Sequence, residues 1–108
     1  MNPNNNLLIA QSAQVFKAIA HPTRLWIIEQ LSKGEACVCI FTEKLDVDFS
    51  TISKHLTVLK NAGIVESEKR GKQVFYSLTL TCVIYFISCI KENVKQNLAD
   101  KLKSIESL

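Results

Sequence analysis

The residues best able to do chemistry in this chain are four cysteines, Cys37, Cys39, Cys82 and Cys89, and two histidines, His21 and His55. Cys37 and Cys39 are separated by one residue. On an undistorted helix their side chains diverge by about 200°, so gripping one centre with both requires that helix to bend or unwind. Thiolates are soft ligands and select thiophilic ions over hard cations. The alternative is that both are small buried hydrophobes, a common role for free cysteine. Cys82 and Cys89 would lie nearly in line along a helix but separated by roughly 10 Å of rise, so one helix cannot bring both to a single ion. Either could add a further thiol ligand or a redox partner to a site built with another element or a second protomer, or simply pack. The motif is Cys-X-Cys rather than Cys-X-X-Cys, no βαβ pattern surrounds it, and no Ser/His/Asp or phosphate-loop arrangement occurs, so an enzyme is not expected.

Those residues must be positioned by one small domain. At 108 residues, 47% hydrophobic and 21% charged, the chain is expected to fold as a single unit over residues 1–108. Its formal charge of +3 suits a polyanion weakly, and a two-fold assembly would carry about +6. Residues Met1 to Asn6 lack a basic leader region, and the longest apolar run, Cys82 to Ile87, is far shorter than the roughly 18 residues of a membrane span. A cytoplasmic protein with no membrane partner is therefore expected, and in that compartment thiols stay reduced rather than forming a disulfide scaffold.

Apolar residues recurring at three and four from Leu7 to Ile19 predict a first amphipathic helix, over about residues 5–20, ending before His21-Pro22. Pro22 opens a second helix with Leu25, Ile28 and Leu31 on its apolar face, Gly34 past its end and Arg24 expected in a salt bridge. A third helix is predicted from about Ala36 to Leu45, and Asp48 can cap the helix that follows. In that fourth helix, Phe49 to Ala62, Ile52, Leu56 and Leu59 fall on one face and Ser50, Lys54, Thr57 and Asn61 on the other. Two short helices joined by a tight turn, the second polar outside, form a helix-turn-helix over about residues 36–62. The stretches Ile64 to Lys69 and Gln73 to Leu78 flank Arg70-Gly71-Lys72 and predict a hairpin with a basic tip over about residues 64–78, resembling a wing.

The fold class expected is thus mainly α with a small β-hairpin, a winged helix-turn-helix. The last helix, about residues 79–104, starts apolar all round through Val83, Ile84, Tyr85, Phe86, Ile87 and Ile90, which one small core cannot cover. The first and last helices are therefore expected to form a homodimer interface that presents two recognition helices to double-stranded DNA. Candidate DNA contacts are Ser50, Thr51, Ser53, Lys54, His55 and Thr57 on the recognition helix, and Arg70 and Lys72 on the wing. For Ser50 and Thr51 the competing role is capping, for His55 a packing hydrogen bond, and for the wing a solvated basic turn.

Several motifs in this order resemble the ArsR/SmtB family of winged-helix repressors over about residues 10–100: Ala20-His21-Pro22-Thr23-Arg24, Cys37-Val38-Cys39, Ser50-Thr51-Ile52-Ser53-Lys54-His55-Leu56, Leu59-Lys60-Asn61-Ala62-Gly63-Ile64-Val65, and Gly71-Lys72-Gln73-Val74-Phe75-Tyr76-Ser77-Leu78. Asp46, Phe49 and Ile40 depart from the family's usual Gly, Gln and Asp. The resemblance implies a homodimeric repressor that needs no cofactor to hold an imperfectly palindromic operator and is released when an ion binds cysteine thiolates. It makes Cys37 and Cys39 the ligands of an inducer such as arsenite, As(III), or another thiophilic ion, including cadmium, lead or zinc. A third cysteine common in arsenic-sensing relatives falls here on Thr42. The same resemblance offers a persulfide- or redox-sensing repressor using a cysteine pair as the alternative. A histidine- and carboxylate-based site on the last helix is not expected, because both histidines lie elsewhere.

Overall fold

Three of the helices begin on a side chain that satisfies a free backbone donor, which is why their starts are legible locally. In the computed structural model, which describes residues 2–107, a short 3-10 turn at Pro3–Asn5 leads into α1 (Leu7–Ile19), capped by Asn6 through the Ile9 amide. Helix α2 (Pro22–Leu31) is capped by His21, and α4 (Phe49–Asn61) by Asp48. Met1 and Leu108, the ends of the expected domain, lie outside the described residues.

The third helix is shorter than predicted. Ala36–Cys37 form a strand, β1, and α3 begins only at Val38 and runs to Leu45. Periodicity could not reveal β1, because it exists only through antiparallel pairing with the hairpin: Ala36 faces Tyr76 and Cys37 faces Phe75. The hairpin itself, β2 (Val65–Arg70) and β3 (Gln73–Leu78), matches the expected wing, and the sheet order is β1-β3-β2. Its two-residue loop places Gly71 at φ +64°, a conformation that glycine adopts without a Cβ clash. Asp46 ends α3 at φ +51°, and aspartate is among the few other residues that tolerate this region.

The last helix, α5 (Val83–Glu106), starts four residues later than Thr79. The amides of Thr79 and Leu80 both donate to the carbonyl of Ile64, at 2.8 and 3.1 Å, which turns the chain off the sheet before the helix can begin.

One core joins these elements. Ile27 and Ile28 of α2, Phe41 of α3, Ile52, Leu56 and Leu59 of α4, Ile64 and Val83 are wholly buried. Each such side chain contributes roughly 1.5–3 kcal/mol by leaving water. Trp26 meets Phe41 edge-on, with ring centroids 5.9 Å apart. The core face of α4 is thus the predicted one, so its polar face is turned outward. The apolar start of α5 is covered on one flank only: Val83 and Ile87 are buried, whereas Tyr85 is 80% and Ile90 57% exposed. Phe16 of α1 is also exposed, and its ring lies 6.0 Å from that of Phe86.

Candidate nucleic-acid interface and thiol site

The outward face of α4 carries Ser50, Thr51, Lys54 and Thr57, all exposed, with Ser53 half-buried beside them. Asp48 organises the start of this face. Its carboxylate accepts from the Thr51 amide at 3.2 Å and from the Ser50 hydroxyl at 3.0 Å. Hydrogen bonds from Thr51 and then Ser50 hold the Asp48 carboxyl below its ordinary value. The Thr57 hydroxyl donates to the Ser53 carbonyl at 2.9 Å. These short side chains are therefore held along the helix, leaving Lys54 as the extended cation on the face.

His55 is on the flank of α4, and the structure engages it internally. Arg24 donates from Nε to His55 Nδ1 at 3.2 Å and from its guanidinium to the Ala18 carbonyl at 3.0 Å. Arg24 was expected in a salt bridge; its acceptors are instead an imidazole and a backbone carbonyl. No carboxylate pairs with it among the described residues.

On the wing, Arg70 and Lys72 differ. Arg70 donates to both oxygens of Glu35, at 2.5 and 2.9 Å, and to Glu68 at 2.8 Å, with its guanidinium 4.7 Å from the Phe75 ring centroid. The bond to Arg70 holds the Glu35 carboxyl below its ordinary range, and the two carboxylates push Arg70 up. Lys72, in the loop, is exposed and makes no ion pair among the described residues. Glu35 was not anticipated from sequence; it lies 35 positions from Arg70, and no local pattern couples the two.

The thiols come together in a way helical geometry did not predict. Because β1 holds Cys37 in an extended conformation, φ −87° and ψ 160°, it stands outside α3, and Cys39 lies on the first turn of that helix. The divergence of about 200° does not apply, and no helix has to unwind. The Cα atoms are 5.4 Å apart and the sulfurs form a disulfide, where reduced thiols were expected. The bond spans a single intervening residue and is not a scaffold. Cys37 is buried and Cys39 exposed. Cys82 and Cys89 are free and exposed, Cys82 directly preceding α5 without a side-chain capping bond and Cys89 within it. Among the described residues no third His, Cys, Asp or Glu joins any such cluster.

A cleft of about 280 Å³ ties these parts together. Cys37, Cys39, Phe49, Ser53 and Lys72 all line it, so the thiol pair, the start of the recognition helix and the wing tip share one surface. A second, apolar cleft of about 550 Å³ lies between α1, α2 and α5, lined by Phe16, Leu25, Trp26, Phe86 and Ile90.

Residues 21–67, which span α2 to the start of β2, match the family described as bacterial regulatory protein, arsR family. The chain is also 40% identical over 83 residues to an uncharacterized HTH-type transcriptional regulator of Methanocaldococcus jannaschii, covering 76% of this chain and 93% of that protein. The chain belongs to the ArsR family. As an ArsR-family protein it is a DNA-binding transcriptional regulator and not an enzyme. It is 43% identical over 67 residues to the arsenical resistance operon repressor of Escherichia coli, covering 61% of this chain and 57% of that repressor. Among solved structures it resembles a homodimeric winged helix-turn-helix DNA-binding domain from Mycobacterium bovis, with a TM-score of 0.76, 26% identity and 91% of each chain covered. No helix among the described residues is long and apolar enough to cross a membrane.

Proposed function

We propose that this ArsR-family chain is a cytoplasmic, homodimeric repressor, acting as one unit over residues 1–108, and that arsenite or another thiophilic ion releases it from DNA by binding Cys37 and Cys39. The observation that carries this reading is the shared cleft: Cys37 and Cys39 line the same surface as Ser53 of the recognition helix and Lys72 of the wing. Ser50, Thr51, Ser53, Lys54 and Thr57 face base edges and phosphates in the major groove, and Lys72 reaches the backbone beside it. His55 and Arg70, both engaged internally, support the helix and the wing. Two copies joined through α1 and α5 read an imperfect palindrome, in keeping with the exposed Phe16, Tyr85 and Ile90 and with the homodimeric Mycobacterium bovis relative.

The residues fit the ion once the pair is reduced. Arsenious acid condenses with two thiols, forming two S–As bonds and releasing two waters, and the short reach between Cys37 and Cys39 suits such a chelate. Cys82 and Cys89 are the further thiols that a partner could contribute. The coupling to DNA required is of the usual size, about 1–3 kcal/mol or roughly 5- to 150-fold in affinity.

A second reading is favoured by the Cys37–Cys39 bond itself: a persulfide- or redox-sensing repressor in which oxidation of the pair replaces ion binding. One experiment separates them. The reduced protein is bound to a labelled DNA fragment from upstream of its own coding region and titrated with arsenite, cadmium and polysulfide, alongside Cys37→Ser, Cys39→Ser, Cys82→Ser and Cys89→Ser. Arsenite should release wild type and spare Cys37→Ser and Cys39→Ser. Release of Cys37→Ser by arsenite at the wild-type concentration sinks the ion reading, and release by polysulfide alone establishes the second.

A further inference from the structure

The two histidines and Arg24 stand together, joined by hydrogen bonds in which each imidazole is an acceptor. His21 accepts at Nδ1 from the backbone amide of Thr23 at 3.1 Å. His55 accepts at Nδ1 from Arg24 Nε at 3.2 Å. A backbone amide and a guanidinium can only donate, so each Nδ1 serves as the acceptor. The ring centroids are 4.4 Å apart. Arg24 is anchored in turn on the Ala18 carbonyl, so three groups join the end of α1, the start of α2 and the middle of α4.

We infer that His21, Arg24 and His55 form a proton-operated latch that holds the recognition helix against the start of α2, and that protonating His55 opens it and weakens DNA binding. Protonation removes the acceptor that Arg24 requires. It also creates a cation beside a guanidinium and a second ring.

Among the described residues no carboxylate is paired with this cluster. Helix α1 brings Lys17; α2 brings Arg24 and Glu29, the latter paired with Lys91 at 2.6 Å. From α3 and its turn come Glu43, Lys44, Asp46 and Asp48, from α4 Lys54 and Lys60, and from β2 Glu66, Glu68, Lys69 and Arg70. Among the described residues none of these carboxylates pairs with His21, Arg24 or His55. Burial, followed by the charges of His21 and Arg24, holds His55 below the ordinary histidine value of 6.5. The unfolded chain thus takes up this proton more readily than the folded one. Stability from neutral His55 is full above pH 6.5 and is lost as pH falls through the lowered folded value.

The latch itself stands on geometry; only its effect on DNA rests on the repressor reading. The test follows the ring C–H signals of both histidines by NMR and urea unfolding between about pH 7.5 and about pH 5, with anisotropy of the labelled upstream DNA fragment in parallel. The double variant His21→Asn/His55→Asn is the control, because asparagine Oδ1 can take the acceptor position and carries no charge. In wild type the unfolding constant should climb by up to about tenfold per pH unit as His55 takes up its proton, and DNA affinity should fall over the same range. The double variant should lose that dependence. Folded His55 titrating at or above 6.5 overturns the latch, as does a double variant as acid-sensitive as wild type. Should the protein bind no DNA at any pH, the repressor reading fails while NMR and unfolding still decide the latch.

Discussion

Arg70, the last residue of β2, closes on Glu35, two positions before Cys37, through a two-pronged ion pair of 2.5 and 2.9 Å. Glu35 directly precedes β1, and β1 is hydrogen-bonded to β3 of the wing. The strand that carries Cys37 is therefore attached to the wing twice, once by backbone pairing and once by this clamp. These two links join the strand that carries Cys37 to the wing.

The clamp separates the two wing cations. Lys72→Ala should flatten the slope of log affinity against log salt by about one unit, as loss of one phosphate contact does. Arg70→Ala should weaken binding through a looser wing and leave that slope nearly unchanged. Binding isotherms at several salt concentrations check both; an Arg70 variant with the flatter slope would place its guanidinium on phosphate.

Acid should loosen the start of the recognition helix. Hydrogen bonds from Thr51 and Ser50 hold Asp48 below its ordinary 3.8, so the native state takes up this proton less readily than the unfolded chain. The stabilisation is present above pH 3.8 and lost as pH falls through the lower folded value. Asp48→Asn keeps an N-cap acceptor without the charge, and circular dichroism from about pH 5 to about pH 2 should show a shallower acid transition for it.

Self-association should depend on the open flank of α5. Ile90 is 57% exposed and lines the apolar cleft beside Phe16 and Phe86. Ile90→Glu should weaken the dimer at least about tenfold, roughly 1.4 kcal/mol or more. Sedimentation velocity reads this directly, and an unaltered dimer would exclude this flank from the interface.

Phe41 ties α3 to α2 and is wholly buried. Phe41→Ala should cost about 3–5 kcal/mol in urea unfolding. Trp26 fluorescence should change as well, because the indole loses its edge-on partner.

What the sequence determined by itself was whatever depends on neighbours a few positions apart. The burial of Ile52, Leu56 and Leu59, the Asp48 cap, the position of the hairpin and the exposed polar face of α4 follow from a period of 3.6 and from turn chemistry, both local properties. Tertiary structure decided the rest. Strand β1, and with it the meeting of Cys37 and Cys39, requires Phe75 and Tyr76 to supply hydrogen-bond partners from far along the chain. Arg24 found His55 across 31 positions, and Arg70 found Glu35 across 35. A side chain that could serve DNA or its own fold shows no difference in sequence between the two uses. Only the packed chain, by bringing an acceptor within reach, settles which groups remain free to face a partner.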